Sequence, residues 1–245
     1  MKVTLWLLLA MLWAQPGAAA DLHIASAANF RSTLEQLLQD FPASNQEIAV
    51  SYASTGALYA QIRHGAPFDI LLAADVATPA RLASDGLAEA ASRRTYARGQ
   101  LALVYQPHLE ALAKQGPLSI LRQPQLTLAV ANPHLAPYGR AAASVLEKLP
   151  SATRPQVITG TNILQAYQLW YSGGADAALI ARSMAPENYL PIPAQWHEPI
   201  DQQVILLNGG NENALAARFL TYLASDRAQE IILADGYLDP GISDE

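Results

Sequence analysis

The spacing of apolar residues changes several times along the first half of the chain. Short apolar runs of strand length alternate with stretches in which apolar residues recur every three or four positions, as on the buried face of a helix. The predicted strands are residues 22–25, 48–52 and 68–73. The predicted helices begin near Phe30, in the turn Ser54-Thr55-Gly56, and at Pro79. Strand and helix in regular alternation predict an α/β sheet with mostly parallel strands.

The second half repeats this plan after a change of rhythm between Arg93 and Tyr105. Its predicted strands are 100–105, 126–131, 156–159 and 176–180, its predicted helices are 139–149 and 162–171, and a last strand over 203–207 precedes two helices. We therefore predict two α/β lobes, each a mostly parallel sheet flanked by helices. Lobe 1 comprises residues 21–98 and 204–245, lobe 2 comprises residues 99–203, and the hinge lies near Gly99 and Gln203.

The first twenty residues have the pattern of a secretory signal peptide. Lys2 places a positive charge near the N-terminus, and an apolar run follows it. Ala18-Ala19-Ala20 then provides small residues at the cleavage positions. An uncleaved membrane anchor is the alternative, but Pro16-Gly17 breaks the run before it reaches the length of about 20 residues that a bilayer requires. We predict cleavage after Ala20 and a periplasmic protein.

Composition and charge exclude several classes of function. The net charge of -6 disfavours binding to nucleic acid or to an anionic membrane, which require a basic surface. With Cys 0, thiol catalysis, iron–sulfur clusters and zinc–thiolate sites are ruled out. Nucleophile-elbow, zincin, dinucleotide-binding and P-loop motifs are missing from the sequence, and the five histidines lack the spacing of metal ligands. We therefore predict neither a catalytic residue nor a bound metal or cofactor.

Candidate chemistry is concentrated at four junctions where a strand gives way to a helix. These junctions are residues 26–30, 53–56, 136–139 and 160–163. Their side chains are small or bear hydroxyl and amide groups, and none is acidic. A helix N-terminus presents unpaired N–H groups and about half a positive charge, so several of them around one cleft would bind an anion without lysine or arginine. At any single junction, an ordinary N-cap is the alternative interpretation.

These junctions also carry a family resemblance. The motifs are residues 26–30, 54–62 followed by 65–69, 132–133 with 136–139, and 234–237. In this order they resemble the periplasmic molybdate-binding proteins of ABC transporters, and the resemblance covers residues 21–241. It implies the type II periplasmic binding fold, with a tetrahedral oxyanion held between the lobes by neutral donors. It further implies capture of molybdate, with tungstate as a second ligand, and delivery to a permease in the inner membrane by a monomer.

The resemblance assigns one ligand-binding residue to each junction. Asn29 would offer its side-chain NH₂ and main-chain N–H, and Thr55 its hydroxyl and N–H. Tyr138 and Ile163 would bind through main-chain N–H groups. Some members add a tyrosine hydroxyl at a position that Ala181 occupies here, so that donor is missing.

Two other functions remain open at this point. One is a binding protein for a different ligand, such as sulfate, another oxyanion or a small organic acid, because the size of the cleft cannot be read from the sequence. The other is a periplasmic enzyme on the same scaffold, since a fold does not fix a function. Asp75, just after the third predicted strand, is the carboxylate that would help to hold a protonated ligand if it faced the cleft, although a loop or capping role is simpler.

Overall fold

The computed structural model describes residues 20–43 and 45–241. The strands are β1 (Leu22–Ala27), β2 (Ile48–Ala53), β3 (Ile70–Ala73), β4 (Arg94–Gly99), β5 (Leu101–Tyr105), β6 (Thr127–Ala131), β7 (Gln156–Gly160), β8 (Ala177–Ala181), β9 (Leu190–Pro191) and β10 (Ile200–Leu206). The α-helices are α1 (Arg31–Asp40), α2 (Thr55–Arg63), α3 (Ala77–Ser84), α4 (Glu110–Ala113), α5 (Pro117–Leu121), α6 (Pro137–Glu147), α7 (Ile163–Tyr171), α8 (Ala214–Leu223) and α9 (Asp226–Ala234). The predicted signal peptide lies outside the described residues, apart from Ala20.

Two five-stranded mixed sheets organise these elements. The first has the order β2-β1-β3-β10-β4, in which β1 is parallel to β2 and β3 while β10 is antiparallel to β3 and β4. The second has the order β7-β6-β8-β5-β9, in which β6 is parallel to β7 and β8 while β5 is antiparallel to β8 and β9. The predicted fold, two α/β lobes with helices flanking each sheet, is confirmed, but each sheet is mixed instead of mostly parallel, because the strands at the two crossings, β4, β5, β9 and β10, join it by antiparallel pairs.

Helices cover both faces of the first sheet. On one face, Leu34 of α1 and Phe219 of α8 share a core with Ile24 of β1. On the other face, Leu58 of α2 and Leu82 of α3 pack against the same sheet. Burial on both faces explains why β3 is an unbroken apolar run instead of an alternating one.

Some predicted boundaries shift for identifiable reasons. Helix α6 begins at Pro137 and not at Gly139, because a proline suits the first helical position. Helix α3 begins at Ala77, two residues before Pro79, which is tolerated within the first turn because N–H groups there have no helical acceptor. Strand β4 was not predicted, since its first residues, Arg94 and Thr95, read as polar loop.

The chain crosses between the sheets twice. It leaves the first sheet through Gln100, the single residue between β4 and β5, and it returns between β9 and β10. The predicted first hinge position, Gly99, ends β4 and therefore borders the first crossing. The second position, Gln203, lies within β10, so the return crossing comes before Ile200. No helix in residues 20–43 and 45–241 combines the length and the apolar character that spanning a membrane requires.

Candidate ligand-binding site

The helix N-termini at the four junctions differ in how they are capped. Asn162 precedes α7 and accepts a hydrogen bond from the backbone N–H of Gln165, so at this junction the ordinary capping interpretation is correct. Ser54 before α2 and Ala136 before α6 make no side-chain hydrogen bond to their helices. The first-turn N–H groups of Gly56 in α2 and Gly139 in α6 have backbone acceptors, whereas those of Thr55 and Tyr138 lie where a helix supplies no acceptor. These are the groups that a bound anion would satisfy.

The second and third junctions touch each other directly across the two lobes. The backbone N–H of Gly56, in the first turn of α2, donates to the carbonyl oxygen of Leu135 at 2.9 Å. Leu135 immediately precedes the N-cap of α6. A Cβ atom on Gly56 would lie 3.0 Å from the same oxygen, which is tighter than ordinary packing, so the glycine allows this approach.

The first and fourth junctions meet at a cavity of about 300 Å³. Its walls include Ala28 and Asn29 from the 3-10 helix that follows β1, and Leu164 from the first turn of α7. The cavity also contains one charged pair, in which Arg31 Nε donates to Glu35 Oε1 at 2.9 Å. The structure thus pairs the junctions, the second with the third through a backbone hydrogen bond and the first with the fourth at this cavity.

Thr55 is buried and has an orientation suited to donation. Its Oγ1 accepts a hydrogen bond from the backbone N–H of Ala74 at 3.1 Å. Because this lone pair is occupied by Ala74, the hydroxyl proton is left to point elsewhere. The side chain can therefore donate to a ligand while the loop after β3 holds it in place.

Asn29 requires a correction to the expected role of its side chain. Its Nδ2 donates to Gln202 Oε1 at 3.0 Å and to the hydroxyl of Tyr237 at 3.1 Å. An amide NH₂ has two hydrogens, so both are used inside the protein. The backbone N–H of Asn29 is therefore the donor that this residue can offer a ligand. Its carbonyl oxygen accepts from the hydroxyl of Tyr237 at 3.0 Å, which fixes the peptide from the other side.

Tyr138 and Ile163 occupy the first turns of α6 and α7, and both are almost fully buried. Ile163 packs into the core of the second lobe, so its backbone position is fixed by packing of the side chain. The phenol of Tyr138 reaches the first sheet, where its oxygen accepts from Gln202 Nε2 at 3.2 Å. The backbone N–H groups of both residues lie in first helical turns, which supply them no acceptor, and the two side chains hold the backbone in position.

The ionisable groups around this region leave it without a free negative charge among the described residues. Asp75 Oδ1 accepts from the backbone N–H of Thr78 at 2.9 Å, and its Oδ2 accepts from Arg140 Nη2 at 2.6 Å. The loop and capping role is therefore the one that Asp75 has. Burial raises the pKa of Tyr96 and of Tyr138 well above the usual value, so both phenols stay neutral. In the described part of the chain, no group of three or more His, Cys, Asp or Glu residues could hold a metal ion.

Among the residues that surround the junctions, Ala181 was singled out from the sequence, whereas Ser183, Gln202 and Tyr96 were missed. Ala181, where some relatives are expected to carry a tyrosine, is fully buried at the end of β8. Ser183 follows two residues later, lines the cavity and donates to Tyr237 at 3.0 Å. Gln202 and Tyr96 meet in the same region. A run of three polar residues, Asp201 to Gln203, directly before the apolar part of a strand was the signal that could have drawn attention to Gln202.

The chain belongs to the family of bacterial extracellular solute-binding proteins, whose family model matches residues 22–238. The class of the protein is therefore that of the extracellular solute-binding proteins, in agreement with its two-lobed fold. The similarity of this chain to particular members of the family narrows the class further and agrees with the resemblance seen in the motifs.

Two relatives that match over most of the chain are named molybdate-binding protein ModA. The one from Azotobacter vinelandii is 35% identical over 230 residues, which is 89% of this chain and 90% of the relative. The one from Rhodobacter capsulatus is 32% identical over 239 residues, which is 95% of this chain and 94% of the relative. The solved structure of the periplasmic molybdate-binding protein of Azotobacter vinelandii superposes with a TM-score of 0.79 at 32% identity, covering 89% of this chain and 99% of that one. The resemblance predicted from the motifs is confirmed.

Proposed function

We propose that this protein is a periplasmic molybdate-binding protein of an ABC transporter. Its ligand would lie between the lobes, bound by the backbone N–H groups of Asn29, Thr55, Tyr138 and Ile163 and by the hydroxyl of Thr55. The observation that carries the proposal is a set of four strand-to-helix junctions without an acidic side chain, of which the second contacts the third and the first adjoins the fourth at the cavity. The choice of ligand is supported by relatives that match nearly the whole chain and are named molybdate-binding proteins.

The donor set suits a fully deprotonated tetrahedral dianion. Molybdate at neutral pH carries no proton, so each of its oxygens only accepts hydrogen bonds. Oriented N–H dipoles at helix N-termini supply donors and partial positive charge without a counter-ion. The net charge of -6 does not oppose this binding, because surface charges are screened within about 8 Å at physiological salt whereas the site dipoles act at contact distance.

Export and delivery complete the proposed function. Residues 1–20 would direct secretion and be removed after Ala20, which leaves a monomer free in the periplasm. Binding by donors from both lobes would favour the closed arrangement of the lobes, and this arrangement would be recognised by the permease. We assign residues 99–101 and 192–199 as the hinge segments, and tungstate as a second ligand of the same shape and charge.

A calorimetric titration at pH 7 of residues 21–245 tests the ligand. Molybdate, tungstate, sulfate and phosphate are titrated separately. We expect the tightest binding for the two larger oxyanions. Phosphate should bind at least tenfold more weakly, because it retains a proton at this pH and would place that proton against a donor, a mismatch of about 1–3 kcal/mol. Sulfate is also fully deprotonated and only accepts hydrogen bonds, so its smaller size alone should make it bind more weakly.

Two results would change the assignment. Sulfate affinity above that of molybdate would support the alternative of a sulfate-binding protein on the same fold. Phosphate affinity within tenfold of molybdate would mean that an acceptor faces the ligand, contrary to the engagement of both Asp75 oxygens.

A further inference from the structure

Gln202 is a fully buried polar side chain in the middle of strand β10. It uses both ends of its amide. Oε1 accepts from Asn29 Nδ2 at 3.0 Å and from the hydroxyl of Tyr96 at 3.1 Å, and Nε2 donates to the hydroxyl of Tyr138 at 3.2 Å. A buried amide with these partners has its hydrogen bonds satisfied. Loss of the amide would leave three buried polar groups each without one of their hydrogen-bond partners.

The three partners of Gln202 come from both sides of the site. Asn29 and Tyr96 belong to the first lobe, and Tyr138 belongs to the second. Asn29 and Tyr138 are also two of the proposed ligand-binding residues, one from each lobe. A single side chain therefore connects two junctions that must be correctly spaced to bind one anion.

The backbone around Gln202 is shaped to make these contacts possible. The register between β4 and β10 shifts at Gln202, which pairs with Ala97 while Gln203 pairs with Thr95. This irregularity leaves Tyr96 as the extra residue on β4, and such bulges re-aim side chains. Gly99 provides the room, because a Cβ atom there would overlap the Tyr138 hydroxyl and lie 2.8 Å from Gln202 Nε2.

We propose that Gln202 is a positioning residue that sets the distance between the Asn29 and Tyr138 donors and so raises the affinity of the site for its oxyanion. This inference rests on the proposed function, because it concerns the same ligand. Gln202 itself does not touch the ligand. It holds the Asn29 side chain on one lobe and the Tyr138 phenol on the other, next to the first crossing of the chain.

The physical reason is preorganisation. A dianion gains most from donors whose positions are already fixed, because ordering them during binding would cost free energy. Without the Gln202 amide, Tyr138 and Asn29 would seek other hydrogen-bond partners and their backbone N–H groups would shift with them. The loss would therefore appear in ligand affinity as well as in stability of the ligand-free protein.

Calorimetric titration with molybdate tests this inference on three variants of residues 21–245. Gln202→Met keeps the length of the side chain and removes its three hydrogen bonds, and we expect the Kd to rise at least tenfold. Tyr138→Phe keeps the backbone N–H and removes only the hydroxyl, and we expect a rise of at least threefold. Gln203→Met is the matched control on the next residue, whose Nε2 donates to Thr95 instead, and its Kd should stay within twofold of the natural chain.

The double variant Gln202→Met/Tyr138→Phe separates positioning from a purely structural role. If the two residues act through their shared hydrogen bond, the double variant should bind no more than twofold more weakly than Gln202→Met alone. Losses that multiply, or a folded Gln202→Met variant with the natural Kd and only a lower melting temperature, would overturn the proposal. Should Gln202→Met fail to fold, a natural Kd for Tyr138→Phe would overturn it instead. Failure of the natural chain to bind molybdate would refute the proposed function, and this inference with it.

Discussion

At the scale of single residues, the site separates donors into two kinds that respond differently to substitution. Thr55 would contribute a side-chain hydroxyl, whereas Ile163 would contribute only its backbone N–H. Both residues are buried, so a difference in exposure does not complicate the comparison. The side chain of Thr55 is also held by the N–H of Ala74, which orients its hydroxyl.

Thr55→Val should therefore weaken molybdate binding strongly, while Ile163→Ala should not. A hydrogen bond to a charged partner contributes about 1.5–3 kcal/mol, which is roughly ten- to a hundredfold in Kd. Ile163→Ala keeps the N–H and loses only packing that helps to hold it in place, so we expect its Kd to rise at least threefold less than the Kd of Thr55→Val. Titration calorimetry measures both, with circular dichroism as the control for folding. Equal losses in the two variants would contradict the assigned roles.

Single residues also mark where prediction from the sequence stops. The four junction residues could be named from motifs, because each follows a recognisable strand and begins a helix. The orientation of the Asn29 side chain could not, because it depends on Gln202 and Tyr237, which lie 173 and 208 positions away in the chain. Contacts of that separation leave no local pattern in a sequence.

At the scale of elements, the position of a helix N-terminus depends on how closely the helix packs on its sheet. Gly139 in the first turn of α6 shows this dependence. A Cβ atom there would lie 2.5 Å from the carbonyl oxygen of Ala131 and 2.7 Å from the carbonyl carbon of Asn132. These are backbone atoms at the end of β6, so they cannot move aside without moving the strand.

Gly139→Ala should push α6 outward and displace the N–H of Tyr138. We expect a loss of stability of about 1–3 kcal/mol from overpacking, seen as a melting temperature several degrees lower. The Kd for molybdate should rise as well. Ser144→Ala, further along the same helix on its partly exposed side, is the control and should leave both quantities unchanged. A Gly139→Ala protein with natural stability and affinity would show that this close packing is unimportant.

Most elements followed from the apolar periodicity, and the exceptions have physical causes. Strand β10 was recognised only from 203 onward, because Asp201 and Gln202 interrupt its apolar pattern. Gln202 faces the site, where its hydrogen bonds balance its burial, and Asp201 pairs with Arg98 at 2.7 Å. The whole of β10, from Ile200 onward, lies in the first sheet.

At the scale of the whole molecule, an ion pair joins the two lobes beside the site. Arg140 of α6 reaches across to Asp75 after β3 at 2.6 Å, with the arginine half exposed and the carboxylate largely buried. Such a partly solvated pair contributes about 1 kcal/mol or less. It exists only when the lobes are together, so its contribution belongs to the closed arrangement.

Arg140→Gln should therefore speed release of the ligand modestly. We expect the dissociation rate of molybdate to rise about two- to fivefold at low salt, because up to about 1 kcal/mol of closed-state stabilisation is lost. The difference from the natural chain should shrink at high salt, where the pair is screened. Stopped-flow chase with excess tungstate measures the rate. An unchanged dissociation rate at low salt would show that the pair does not stabilise closure.

All of these expectations depend on four helix N-termini, two from each lobe, binding one molybdate ion. A crystal structure of residues 21–245 grown with molybdate, with anomalous scattering measured above the molybdenum K edge, tests that arrangement. We expect one strong peak between the lobes, with ligand oxygens about 2.7–3.2 Å from the backbone nitrogens of Tyr138 and Ile163 and from Thr55 Oγ1. A peak elsewhere on the molecule, or none in crystals grown at saturating molybdate, would contradict it.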